Sequence, residues 1–183
     1  VNDGPVYLAI FAGFFLWLAW TSLRGEDGIR TNPFLVLIQG SVIKGASRTK
    51  TRRRQFWVIA NYALGERGWL FRWWRLLCAL EPTNRIFLLP AFEITTRGGK
   101  QVGQWRPERL VMDQVRPVWH MLIDRAASHL VTERSPDITA EDAISFASTA
   151  KVHSALRGAV TTMGAQRHAE DRALRFQGGW SSG

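Results

Sequence analysis

A mainly α chain with one N-terminal transmembrane helix is the fold class that this 183-residue sequence predicts. Three observations predict it. Gly4–Leu23 runs for twenty residues without a charge, the basic excess is confined to the stretch behind it, and residues 107–176 carry apolar side chains at helical spacing. The composition, 46% hydrophobic and 21% charged, is not that of a disordered chain. Cys78 stands alone, which excludes an intramolecular disulfide and with it a bridge-stapled secreted module.

The opening run reads GPVYLAIFAGFFLWLAWTSL. A helix of that length spans about 30 Å, the thickness of a bilayer's hydrocarbon core. Tyr7 lies near one end and Trp17 and Trp20 near the other, as membrane-interface rings do. No Lys or Arg precedes the run, which argues against a cleaved signal peptide. A buried core helix is the competing reading, and so many large aromatics in one uncharged stretch weigh against it. The chain begins with Val rather than Met, so an alternative start or a missing upstream piece is expected.

The formal charge is +9. Residues 24–109 hold 16 basic and 6 acidic side chains, whereas residues 110–183 balance at 8 of each. Basic residues beside a span stay on the cytoplasmic side. The expected topology is therefore a bacterial inner-membrane protein with its N-terminus outside and its bulk in the cytoplasm.

Residues 24–106 read as a basic juxtamembrane region. Phe34–Ile38 and Val42–Ile43, around Gln39-Gly40-Ser41, are too short to cross a bilayer; they fit an interfacial helix, a re-entrant piece or a strand of the soluble domain, and the interfacial helix is preferred. Lys44–Arg54 packs six basic residues into eleven. Lys44, Arg48, Lys50, Arg52, Arg53 and Arg54 suit a solvated linker, anionic lipid headgroups or nucleic-acid phosphates.

Arg67–Leu80, RGWLFRWWRLLCAL, puts Trp69, Leu70, Trp73, Leu76, Leu77 and Leu80 on one helical face, with Arg67, Arg72 and Arg75 opposite and Trp74 at the border. This is the pattern of an in-plane helix, with Trp69, Trp73 and Trp74 at the membrane interface and the arginines on phosphates. A core helix with its Trp face inside is the alternative. Ala91–Thr96 and Gln101–Trp105 flank Gly98-Gly99, a β-hairpin signal.

Residues 107–176 form the expected helical cytoplasmic domain. Pro107 opens the first helix, Pro117 restarts it, and Ser135-Pro136-Asp137 breaks it. Thr139 with Asp142 resembles a capping box. The helix that follows shows Ala143, Ala147, Ala155 and Ala159, a small-residue face for a protein partner. Residues 177–183 read as a loose tail.

Catalytic patterns are sparse. HExxH, CxxC and Gly-x-Ser-x-Gly are missing. Gly40 and Gly45 match the glycine spacing of a phosphate loop, but Ala46 stands where that loop needs Lys. His120 and Asp124 are four apart on one helix, followed by His129. They are a surface ion pair in the plain reading and a base or metal pair in the functional one.

No catalytic residue, cofactor, metal ligand or small-molecule substrate is therefore expected. The leading expectation is a non-enzymatic accessory or scaffold subunit of an envelope assembly, such as a secretion or conjugative transfer apparatus. It would touch anionic lipid and a protein partner. The alternative is a membrane-tethered nucleic-acid binder, with Lys44–Arg54 on phosphates and Trp57, Trp69 or Trp105 stacking on bases. A membrane enzyme using His120, Asp124 and His129 comes third.

Overall fold

A helix that is apolar on every side must be covered on every side, by lipid or by protein. In the computed structural model, which describes residues 6–48, 54–60, 68–133 and 139–150, protein covers most of it, and Val6, Ala9 and Leu16 stay exposed. The first helix, α1 (Val6–Thr21), buries Ile10, Phe11, Phe14, Trp17 and Leu18 at 1% exposure or less. Tyr7 and Phe11 pack on Phe92, with ring centroids 4.8 and 5.3 Å apart. Phe11 stacks on Trp105, Phe15 meets the edge of Trp119, and Trp17 meets the edge of Trp57.

The expectation of a transmembrane helix over residues 4–23 is corrected here. The helix has 16 residues, about 24 Å, against the roughly 30 Å of a hydrocarbon core. Among the described residues, no helix is long and apolar enough to cross a membrane. The aromatics that resembled interface anchors are ring contacts of a protein core.

The Trp/Arg segment forms α3 (Trp69–Cys78). Its periodicity largely follows the sequence: Trp69, Leu70, Trp73 and Leu77 are buried and Arg72 and Arg75 are exposed, but Trp74, placed at the border, is buried, and Leu76, placed on the apolar face, is 40% exposed. The apolar face meets α1 rather than headgroups. Trp73 Nε1 donates to the Ile10 carbonyl at 2.8 Å, and Gly13 opens the space for its ring, since a Cβ there would lie 2.1 Å from Trp73 Cδ1. Arg85, 5% exposed, closes the far end of α3. Its guanidinium donates to the carbonyls of Leu77, Leu80, Pro82 and Leu88. These acceptors include orphan carbonyls of a helix C-terminus, and burial draws the Arg85 pKa below its ordinary value.

Two antiparallel sheets complete the fold, which is mixed α/β rather than mainly α. After α2 (Gly25–Ile29), the segment for which the sequence favours an interfacial helix is a single 3-10 turn (Pro33–Leu35) followed by strand. β1 (Leu37–Gln39) and β2 (Val42–Arg48) pair around Gly40-Ser41, and β3 (Arg54–Ala60) pairs with β2 from Val42↔Ala60 to Arg48↔Arg54. Alternation explains the assignment: Ile43, Ser47, Trp57 and Ile59 point inward, while Phe56 and Val58 point out.

β4 (Pro90–Arg97) and β5 (Lys100–Arg109) form a hairpin closed at Gly98-Gly99, both at positive φ, as a two-residue turn of this class requires. Pro107 lies in β5 and does not open a helix. α4 (Met112–Glu133) runs through Pro117, and α5 (Ala140–Thr149) starts at a formed Thr139–Asp142 capping box. Helical expectations beyond residue 150 lie outside the described residues.

Two stability changes follow. Gly13→Ala should lower the free energy of unfolding by about 1–3 kcal/mol through overpacking against Trp73, measured by urea titration. Arg85→Met removes the guanidinium that the Leu77, Leu80, Pro82 and Leu88 carbonyls share and should cost about 1–3 kcal/mol in the same assay.

Candidate nucleic-acid interface

The site begins with a strained turn. α1 ends where Thr21 Oγ1 donates back to the Trp17 carbonyl at 2.8 Å. Ser22 follows at φ 53°, a left-handed conformation, although it is not glycine. Such a residue costs about 1–2 kcal/mol and persists only when its surroundings hold it. They do: Thr21, Ser22 and Leu23 are each at most 2% exposed, and Gly25, Asp27, Gly28 and Ile29 are buried too. Arg24 is exposed between them, at the N-cap of α2. A rigid, buried turn thus presents one guanidinium to solvent.

The basic run meets this turn through β2 and β3. Gln55 Nε2 donates to the Thr21 carbonyl at 3.1 Å, tying the start of β3 to the end of α1. Thr31 Oγ1 and Ser47 Oγ are 2.6 Å apart, and Trp57 Nε1 donates to Ser47 Oγ at 2.9 Å. This buried chain fixes the segment after α2 to both strands. Arg48 and Arg54, which pair across β2 and β3, therefore lie at the same end of the sheet as the Arg24 turn.

The outward face of the strand pair mixes charge with apolar surface. Side chains alternate along a strand, so Arg54, Phe56 and Val58 share a face, with Lys44 opposite Val58 and Leu37 opposite Lys44. Phe56 is 64% exposed, Val58 58% and Leu37 59%. Lys44 Nζ donates to Gln39 Oε1 across the β1–β2 turn.

The other residues singled out from the sequence are dispersed. Lys50, Arg52, Arg53 and Arg67 lie outside the described residues. Arg72 and Arg75 occupy the outer face of α3. Trp17, Trp69, Trp73 and Trp74 are buried, and Trp20 is partly buried against the core. Of the proposed stacking rings, Trp57 and Trp69 are 4% and 8% exposed, and Trp105 packs on Phe11 and Phe92. None offers a free face, whereas Phe56 does.

His120, Asp124 and His129 are exposed on α4. Among the described residues, no cluster of three His, Cys, Asp or Glu side chains is placed to hold a metal. Arg24 was missed because its only sequence signal, an Arg just behind an apolar helix, is also the signal of a membrane flank.

No protein family matches the sequence, and no curated protein does. The fold has matches among solved structures. The XerH site-specific recombinase bound to difH substrate, in a pre-cleavage complex, matches over 100% of this chain with a TM-score of 0.57 and 11% identity. Its complex with palindromic difH substrate, post-cleavage, matches with a TM-score of 0.57 and 12% identity. This chain spans 43% and 42% of those chains.

At such identity the likeness is one of fold. The leading expectation is corrected on the helices instead: the scaffold role in an envelope assembly rested on a membrane anchor, and among the described residues no helix is long and apolar enough to be one. The lipid partner, the inner-membrane location and the N-out topology fall with it, and a protein partner for the α5 face gains no support.

The strain at Ser22 is testable directly. Ser22→Gly should hold or raise stability by up to about 1 kcal/mol, while Ser22→Val should lower it by about 1–3 kcal/mol, measured by thermal or urea unfolding.

Proposed function

We propose that this chain binds duplex DNA through the surface made by the Arg24 turn and the basic end of the β2–β3 pair. The observation that carries the reading is the tie between Gln55 and the Thr21 carbonyl. It joins the two basic features of residues 24–54 on one face of a fold that resembles recombinases described as bound to their DNA substrate. The chemistry is consistent throughout. Guanidiniums meet phosphates with paired N–H donors. A two-stranded ribbon fits a DNA groove. An exposed apolar side chain such as Phe56 can press on sugars or between base steps.

Duplex binding measured across a salt series tests this. Arg24→Gln and Arg54→Gln should each weaken binding and reduce the slope of log affinity against log salt by about 0.9, one phosphate contact apiece. Phe56→Ala should weaken binding with the slope unchanged. Wild-type protein that fails to bind duplex DNA at low salt would overturn the reading.

A second reading is phosphoryl transfer on the bound DNA. One observation favours it: Arg24 is held by a strained, buried turn, and a preorganised guanidinium can stabilise charge that develops on a phosphoryl group. Incubation with supercoiled plasmid tests it. Nicking or relaxation that Arg24→Gln abolishes while Arg75→Gln retains it would support the reading. Intact plasmid despite saturating binding would remove it.

A further inference from the structure

A second basic feature lies away from the ribbon, where three segments meet. Leu88 N–H donates to the Ile29 carbonyl at 2.8 Å, and Leu110 N–H donates to the Leu89 carbonyl at 3.0 Å. Ile29, Leu88, Leu89 and Leu110 are all fully buried. The loop before β4 is thus stitched on one side to the end of α2 and on the other to the end of β5. Each stitch has an arginine beside it: Arg30 follows Ile29, and Arg109 precedes Leu110. Together with Ile86 and Phe87, these two arginines line an open cavity of about 420 Å³.

Among the described residues, one carboxylate, that of Glu26, pairs with these two arginines. Arg30 lies 3.6 Å from Glu26, and both side chains of that pair are 43% exposed, so the pair is loose and screened. The Arg109 side chain has no ion pair or hydrogen bond with the described residues, whereas Arg106, on the same strand, is paired with Glu93 at 3.0 Å. Two arginines lining one cavity, with one loosely held carboxylate beside them, favour an anion there. Ile86, 71% exposed, and the partly buried Phe87 add an apolar wall beside the charge.

We propose that the Arg30–Arg109 cavity is a phosphate-ester site: the guanidiniums hold the phosphate oxygens and the Ile86–Phe87 wall carries the attached apolar or sugar group. The phosphate belongs either to a free ester or to a nucleic-acid backbone passing this face. The proposal stands on this cavity alone and does not require the ribbon surface to bind DNA.

Inorganic phosphate, compared with chloride at equal ionic strength, is the first probe, read by thermal shift and by titration calorimetry on the full chain. Phosphate should raise the melting temperature more than chloride does. Arg30→Gln and Arg109→Gln should each weaken phosphate binding about tenfold, the loss of one charge-assisted contact. Arg75→Gln, on the outer face of α3, should retain it. Glu26→Gln should tighten it, because a competing carboxylate leaves Arg30.

Folding of each variant is checked by circular dichroism, and Glu26→Gln keeps the test decisive if an arginine variant unfolds. Duplex DNA is the second probe. If Arg109→Gln weakens both, the backbone is the source of the phosphate. If it weakens phosphate binding alone, the source is a free ester. A response to phosphate equal to that to chloride, or one unchanged in both arginine variants, would overturn the proposal.

Discussion

The burial of most of α1 by protein is the constraint from which the rest follows. Ile10, Phe11, Phe14, Trp17 and Leu18 are withdrawn from water, while Val6 and Leu16 stay exposed. Coverage comes from four directions: the α3 tryptophans, Trp57 of β3, the Phe92–Trp105 pair of the second hairpin, and Trp119 of α4. Each polar atom carried inward needs a partner. The bond from Trp73 Nε1 to the Ile10 carbonyl, across 63 positions of sequence, supplies one and fixes the rotation of α3 on α1.

That core also positions the charged surface. α1 ends at Thr21, and the chain turns at once, through Ser22 in a left-handed conformation, which leaves Arg24 exposed between buried neighbours. The Thr21 carbonyl left over by the turn accepts from Gln55, and this satisfied backbone group draws the first residues of β3 to the turn. Buried hydroxyls at Thr31 and Ser47 then lock the strands behind it. Electrostatic presentation here is a consequence of hydrogen-bond accounting in the core: the exposed arginines at positions 24 and 54 sit where buried neighbours place them.

Local chemistry was legible in the sequence; the partner of each apolar face was not. The Gly98-Gly99 turn, the Thr139–Asp142 cap and the two-sided pattern of Trp69–Leu77 all depend on residues close in sequence, and each forms. Whether the α3 tryptophans meet lipid or α1 depends on Ile10 and Gly13, some sixty positions away, and a helical wheel carries no such information. Phe34–Ile43 was misread because two short apolar runs around a glycine fit an interfacial helix as well as a hairpin, and the β3 partner that decides between them lies beyond the basic run. The ribbon arginines could be named from the sequence. Arg24 could not be told from a membrane flank, because its distinguishing feature is the backbone angle of the residue before Leu23.

Hydrogen exchange in aqueous buffer without detergent reads the central claim most directly. If α1 is the core of the folded chain, amides of Val6–Thr21 should exchange as slowly as those of Trp69–Cys78, and both should be released together as urea approaches the unfolding midpoint. Rapid exchange across Val6–Thr21 while α3 stays protected, or protection that arises only when lipid vesicles are added, would contradict it.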